Sequence, residues 1–159
     1  MGGRGGRPGQ AQESFSYTGA NYLNINGGYL VLDSAGDGLD SNGAIVMTGG
    51  TVLVNGPTEQ MNGALDYDGG FKISGGLLVA AGSSGMAEAP GAGSTQNSVL
   101  INYSASQPAG SPVHIQDSAG ADILTFAPSK AYQSIAISSP DLAEGATYTV
   151  TRSATVNVA

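Results

Sequence analysis

The chain has 159 residues, of which 40% are hydrophobic and 11% charged, with a formal net charge of −7 and a sequence pI of about 4.2. That length suits one domain. The acidic balance and the five Lys and Arg exclude the clustered basic surface that nucleic-acid binding requires. Cysteine is absent, which excludes disulfides and thiolate metal sites, and no apolar run reaches the length of a membrane-spanning helix, so membrane insertion is not expected.

Residues 1–13 are rich in Gly and Arg, have no periodicity and read as a flexible segment. Arg4 and Arg7 are too few for an RGG-type nucleic-acid tail, and Met1 to Gln12 has no apolar core of a signal peptide. From Asn21 the pattern becomes regular. Tyr22 to Ile25 alternates apolar and polar and ends in a Gly27-Gly28 turn. Tyr29 to Leu32 is a short apolar strand, followed by the acidic run Asp33 to Gly43. The pattern then recurs as Ala44 to Met47, Gly49-Gly50, Thr51 to Val54 and a second acidic run, Asn62 to Gly69. It recurs again as Phe71 to Ile73, Gly75-Gly76 and Leu77 to Ala81.

The Gly-Gly pairs begin at 27, 49 and 75, spacings of 22 and 26 residues, and the Leu-Asp pairs at 39–40 and 65–66 are also 26 apart. Self-similarity at this period signals stacked repeats. The expected fold is therefore all-β, a parallel β-helix (solenoid) over residues 14–90. Its coils would pair about 4.8 Å apart. A leucine-rich repeat lacks the required Leu and Asn spacing, and an antiparallel sandwich does not explain the Gly-Gly and Leu-Asp register. After Pro90 the register fades. Ser98 to Tyr103, Val113 to Ile115, Asp122 to Phe126, Ser134 to Ser138 and Thr147 to Val150 read as further strands. Residues 91–159 are expected to be terminal coils and a β cap of the same domain, because a solenoid's last coil exposes unpaired backbone.

The runs Ala35 to Gly43, Val54 to Thr58, Asn62 to Gly69 and Leu78 to Met86, with Thr95 to Val99 and Ile123 to Lys130, resemble a clostridial family of carbohydrate-binding proteins. The resemblance covers about residues 20–150. It implies a right-handed parallel β-helix shaped like a pectate lyase and an extracellular or cell-surface polysaccharide binder. It also implies bound calcium, with acidic pectic or cellulosic glycans as ligands. Members carry a signal sequence and further N-terminal coils, which are expected to lie outside the residues matched here.

Stacking in register places Asp40 over Asp66, and like charges so close repel unless a cation neutralises them. Calcium takes six to eight oxygen ligands with flexible geometry, and Asp, Asn and turn carbonyls are suitable donors. The candidate ligands are Asp37, Asp40, Asp66 and Asp68, with Asn42 and Asn62 as helpers. The competing reading is that these residues make turns and cap strand ends. The spacing does not match an EF-hand.

Tyr67, between Asp66 and Asp68, is the candidate sugar-stacking ring. Lys72 is the one cation between Asp33 and Glu88 and the candidate carbohydrate-contacting base. A lyase needs such a base, and Lys72, Lys130 and Arg152 are the basic residues outside the tail. Lys72 reads better as a surface lysine, and His114 has no nucleophile at a motif spacing, so no catalytic residue is assigned. The expected function is non-catalytic polysaccharide binding. The rival is a structural subunit that self-associates end to end into a fibre, with a polysaccharide lyase third.

Overall fold

The computed structural model describes residues 19–150 and 156–157. The expected flexible segment at 1–13, the start of the repeats at 14–18, and Arg152 lie outside the described residues.

The described elements are all strands: β1 (Tyr22–Ile25), β2 (Tyr29–Asp33), β3 (Leu39–Ser41), β4 (Ala44–Met47), β5 (Thr51–Asn55), β6 (Leu65–Tyr67), β7 (Phe71–Ile73), β8 (Leu77–Gly82), β9 (Ser98–Gln107), β10 (Val113–Gln116), β11 (Asp122–Phe126), β12 (Tyr132–Ser138), β13 (Thr147–Val150) and β14 (Val156–Asn157). The protein is all-β. Its sheets have the orders β1-β4-β7, β2-β5-β8-β12-β9, β3-β6 and β11-β10-β13-β14.

The first eight strands make three passes: β1-β2-β3, β4-β5-β6 and β7-β8. Each strand pairs in parallel with its counterpart in the next pass. Tyr22 lies beside Ala44 and Tyr29 beside Thr51, an offset of 22 residues. Ile45 lies beside Phe71, Thr51 beside Leu77 and Leu39 beside Leu65, an offset of 26. These are the spacings of the Gly-Gly pairs. The difference has one source, because the connection from Asn55 to Leu65 is four residues longer than that from Asp33 to Leu39.

Gly50 and Gly76 show why the pairs are glycine. Both have positive φ (93° and 95°), and their backbones stack on the turn of the preceding pass. A Cβ on Gly50 would lie 2.7 Å from the Gly27 carbonyl carbon, and one on Gly76 2.5 Å from the Gly50 oxygen. Residues on one face of each strand fill the interior between the sheets: Ile45 and Met47, Val52 and Val54, Leu65, Phe71 and Ile73, Leu78 and Ala80.

The C-terminal half departs from expectation. Every described pairing of β9 to β14 is antiparallel, so this half supplies no further parallel coils. Strand β12 runs antiparallel along β8 and covers its edge, and β9 extends the sheet. The four-stranded sheet packs on the other face of the five-stranded one. Val79 and Ala81 of β8 share a core with Val113, Ile115, Tyr132, Ile135, Ile137, Tyr148 and Val150. The reason lies in β8, where Leu78, Val79, Ala80 and Ala81 are all buried, so both faces need a cover. Buried β8 therefore joins a parallel unit to an antiparallel layer that the repeat spacing did not announce.

Candidate functional site

The acidic edge forms where β3 and β6 pair. Both strands have the pattern Leu-Asp. Leu39 and Leu65 point inward and are buried, so alternation turns Asp40 and Asp66 outward. The register places Asp40 directly beside Asp66, as the 26-residue spacing predicted.

Asp66 is half-buried, and its carboxyl is pushed above the usual 3.8 by burial and then by the charges of Asp37, Asp40 and Asp68. Glu88 is pushed above its usual 4.5 by burial and the charge of Asp66, with Asp68 adding to this and a hydrogen bond from Tyr67 opposing it. Four Asp and one Glu thus form one electrostatic group. Glu88 comes from the third pass, where the sequence pattern gives no acidic run like the first two.

The expected ligands do not all converge. Asp37 Oδ1 accepts the Gly63 amide at 2.8 Å, which ties the first pass to the second. The backbone carbonyl of Asn62 accepts the Ser83 hydroxyl at 2.6 Å. Asn42 is exposed in the turn before β4. Among the described residues, no three His, Cys, Asp or Glu side chains gather as a metal site. Asp40 and Asp66, side by side on adjacent strands, carry hard oxygen donors of the type that could hold a cation such as calcium.

Two expected glycan contacts are placed differently. Leu65 and Tyr67 share the inner face of β6, so Tyr67 packs edge-on to Phe71 with ring centroids 6.0 Å apart. Its hydroxyl donates to the Ala89 carbonyl at 2.7 Å, and burial beside Glu88 pushes its pKa up to about 12. Tyr67 is a packing residue, not an exposed platform, because strand alternation turns it away from its acidic neighbours. Among the described residues the exposed rings are Tyr22 and Tyr29, on β1 and β2. Lys72 is exposed on β7, in the column of Asn24 and Val46, and so on a different sheet from Asp40 and Asp66. It is not among the groups that shift Asp66 or Glu88.

Asp33, first in the acidic run, is not part of the edge. Lys130 forms an ion pair with it and donates to the Ser34 carbonyl at 2.6 Å, and Ser129 donates to the other Asp33 oxygen at 3.0 Å. These contacts hold its carboxyl below the usual range. His114 lies 2.8 Å from Asp122 across β10 and β11, and Gln116 donates to the same Asp122 oxygen.

A cleft missed by sequence reasoning lies between the long β5–β6 connection and the C-terminal half. It is lined by Thr58, Gln60, Ser83, Ser106, Tyr132 and Gln133, with about 100 Å³ of accessible volume. Thr58 and Gln60 belong to the longer connection that changes the repeat from 22 to 26 residues, so unequal spacing was the available signal. Ser106 and Gln133 had no sequence signal, because antiparallel pairing of β9 and β12 brings them there.

Comparison of the chain with protein-family models, with curated proteins and with solved structures finds no match.

Proposed function

We propose that this chain is an extracellular, non-catalytic polysaccharide-binding protein. Its parallel strands wind as a right-handed β-helix, and calcium on its acidic edge bridges to acidic pectic or cellulosic glycans. The in-register parallel ladders support the winding, and crossovers between parallel strands are right-handed in about 98% of cases. The family resemblance rests on its motifs alone.

The observation that carries the reading is the stacked pair Asp40 and Asp66, with Asp66 pushed up by its neighbours. An ion pair from a lysine or arginine would remove that repulsion, as Lys130 does at Asp33, and none does so here among the described residues. A hard divalent cation held by both carboxylates neutralises the pair and keeps coordination positions for a uronate. Extracellular calcium modules of this kind bind at about 10⁻⁴ to 10⁻³ M. The cleft adds hydroxyl and amide groups, the chemistry that hydrogen-bonds sugar hydroxyls.

Retention on immobilised polygalacturonate and on cellulose, with calcium or with chelator, tests the proposal. Asp66→Asn is expected to weaken calcium-dependent retention on the order of tenfold, equivalent to about 1.4 kcal/mol. Undiminished retention in chelator would reject the bridge. Deletion of Thr58 to Met61 restores the shorter connection and is expected to keep the fold, read by circular dichroism, while reducing retention. Full retention would remove the cleft from the binding surface.

The acidic edge also has a pH signature. A carboxyl whose folded pKa is raised destabilises the fold once ionised. That penalty is absent below the unfolded pKa and complete above the folded one. In calcium-free buffer the melting temperature should therefore rise as pH falls from 7 through the raised values of Asp66 and Glu88. The lowered carboxyls Asp33 and Asp122 act oppositely and withdraw their stabilisation only below about their usual 3.8. Asp66→Asn should flatten the rise, and saturating calcium should raise the neutral-pH melting temperature. A melting temperature that falls steadily from pH 7 in calcium-free buffer would contradict the assignment.

A further inference from the structure

The three passes are covered at one end and open at the other. At the third pass, β12 pairs along the edge of β8. The segment 91–96 covers β7: Gly91 donates to the Phe71 carbonyl, Thr95 donates to that of Ile73, and Ser94 Oγ accepts the Ile73 amide. Ala89 meets Tyr67 beside β6. At the first pass, β1, β2 and β3 each pair on one side only among the described residues. Exposed apolar side chains mark the same end. Tyr29 is 71% exposed, Val31 51%, Leu30 37% and Tyr22 58%. Leu23, Ile25 and Leu32, which face the interior core, are only partly buried.

We propose that β2 is a pairing edge for a second copy of this chain, giving a two-fold dimer rather than a filament. By sequence, the upstream residues that a further pass would set beside β2 are poor strand formers. At the 22-residue offset, Tyr29 to Asp33 would face Arg7 to Ala11, which holds Pro8 and Gly9 and no β-branched or aromatic residue. Proline and glycine both disfavour a strand that must donate along its length.

The edge is self-complementary. In an antiparallel pair centred on Val31, Val31 faces its own copy, Leu30 faces Leu32, and Tyr29 faces Asp33. Opposite residues project to the same side of a sheet, so the pairing joins inner face to inner face and outer to outer. The one charge in the strand, Asp33, is already paired with Lys130, so the edge meets its copy with little repulsion. A two-fold interface uses the same patch on both copies. Because the other end of each stack is covered, growth stops at two chains.

Sedimentation velocity across micromolar concentrations, with the full 159-residue chain, tests this. A concentration-dependent monomer–dimer equilibrium that goes no further is expected. Val31→Lys, which sets two ammonium groups against each other, should leave a monomer with an unchanged circular dichroism spectrum. If that variant fails to fold, hydrogen exchange of the unmodified chain decides. The β2 amides should gain protection as concentration rises, while those of the covered β7 stay constant. A monomer at every concentration, filaments, a Val31→Lys dimer or β2 protection independent of concentration would each overturn the proposal.

Discussion

Phe71→Ala is expected to lower the unfolding free energy by about 3–5 kcal/mol, the range for deleting a buried aromatic ring. Phe71 is 1% exposed and lies in the core with Ile45, Leu65 and Ile73. The site has little freedom to collapse. Its backbone is paired with β4 on one side and holds Gly91 on the other. The edge contact with Tyr67, at an interplanar angle of 86°, would also be lost. Tyr67 borders Glu88 and Asp66, so the substitution should also disturb the acidic edge. Urea unfolding followed by circular dichroism measures the loss. A change below about 1 kcal/mol, small for a core truncation, would mean that Phe71 is not part of a packed interior.

Gly76→Ala is the second large effect. Left-handed backbone for a non-glycine residue costs about 1–3 kcal/mol, and overpacking typically adds about 1–3 kcal/mol. Both apply here, since φ is 95° and the new methyl would lie 2.5 Å from the Gly50 oxygen and 2.8 Å from the Met47 side chain. The contact is between backbones of successive passes, so relief would require the passes to separate. Gly36→Ala is the control. A Cβ there meets nothing within 4 Å and the backbone is not left-handed, so the change should be neutral or stabilising by about 0.4–1 kcal/mol. Equal effects of the two substitutions in thermal melts would reject the stacked-turn account.

The first half of the fold was written in local patterns. Tyr22 to Ile25, Ala44 to Met47 and Phe71 to Ile73 are strands with the expected bounds. The Asp40 and Asp66 register followed from the 26-residue spacing of the two Leu-Asp pairs, because parallel passes place equivalent residues side by side. Leu39 to Ser41 and Leu65 to Tyr67 escaped notice as strands. Three-residue segments set among Asp and Gly read locally as turns, and only pairing with each other makes them strands.

Antiparallel partners leave no such periodic trace. Nothing in the run Phe126 to Ser134 shows that Lys130 will neutralise Asp33, far earlier in the chain, or that β12 will lie along β8. Composition, the 22- and 26-residue spacings and alternation within each strand determined an all-β chain with parallel passes and a stacked acidic pair, since all three act over one repeat. The burial of both faces of β8, the inward turn of Tyr67, the removal of Asp33 from the edge and the exposure of β2 were decided by packing. Each depends on which distant surface an element meets, a free-energy difference that no single segment contains.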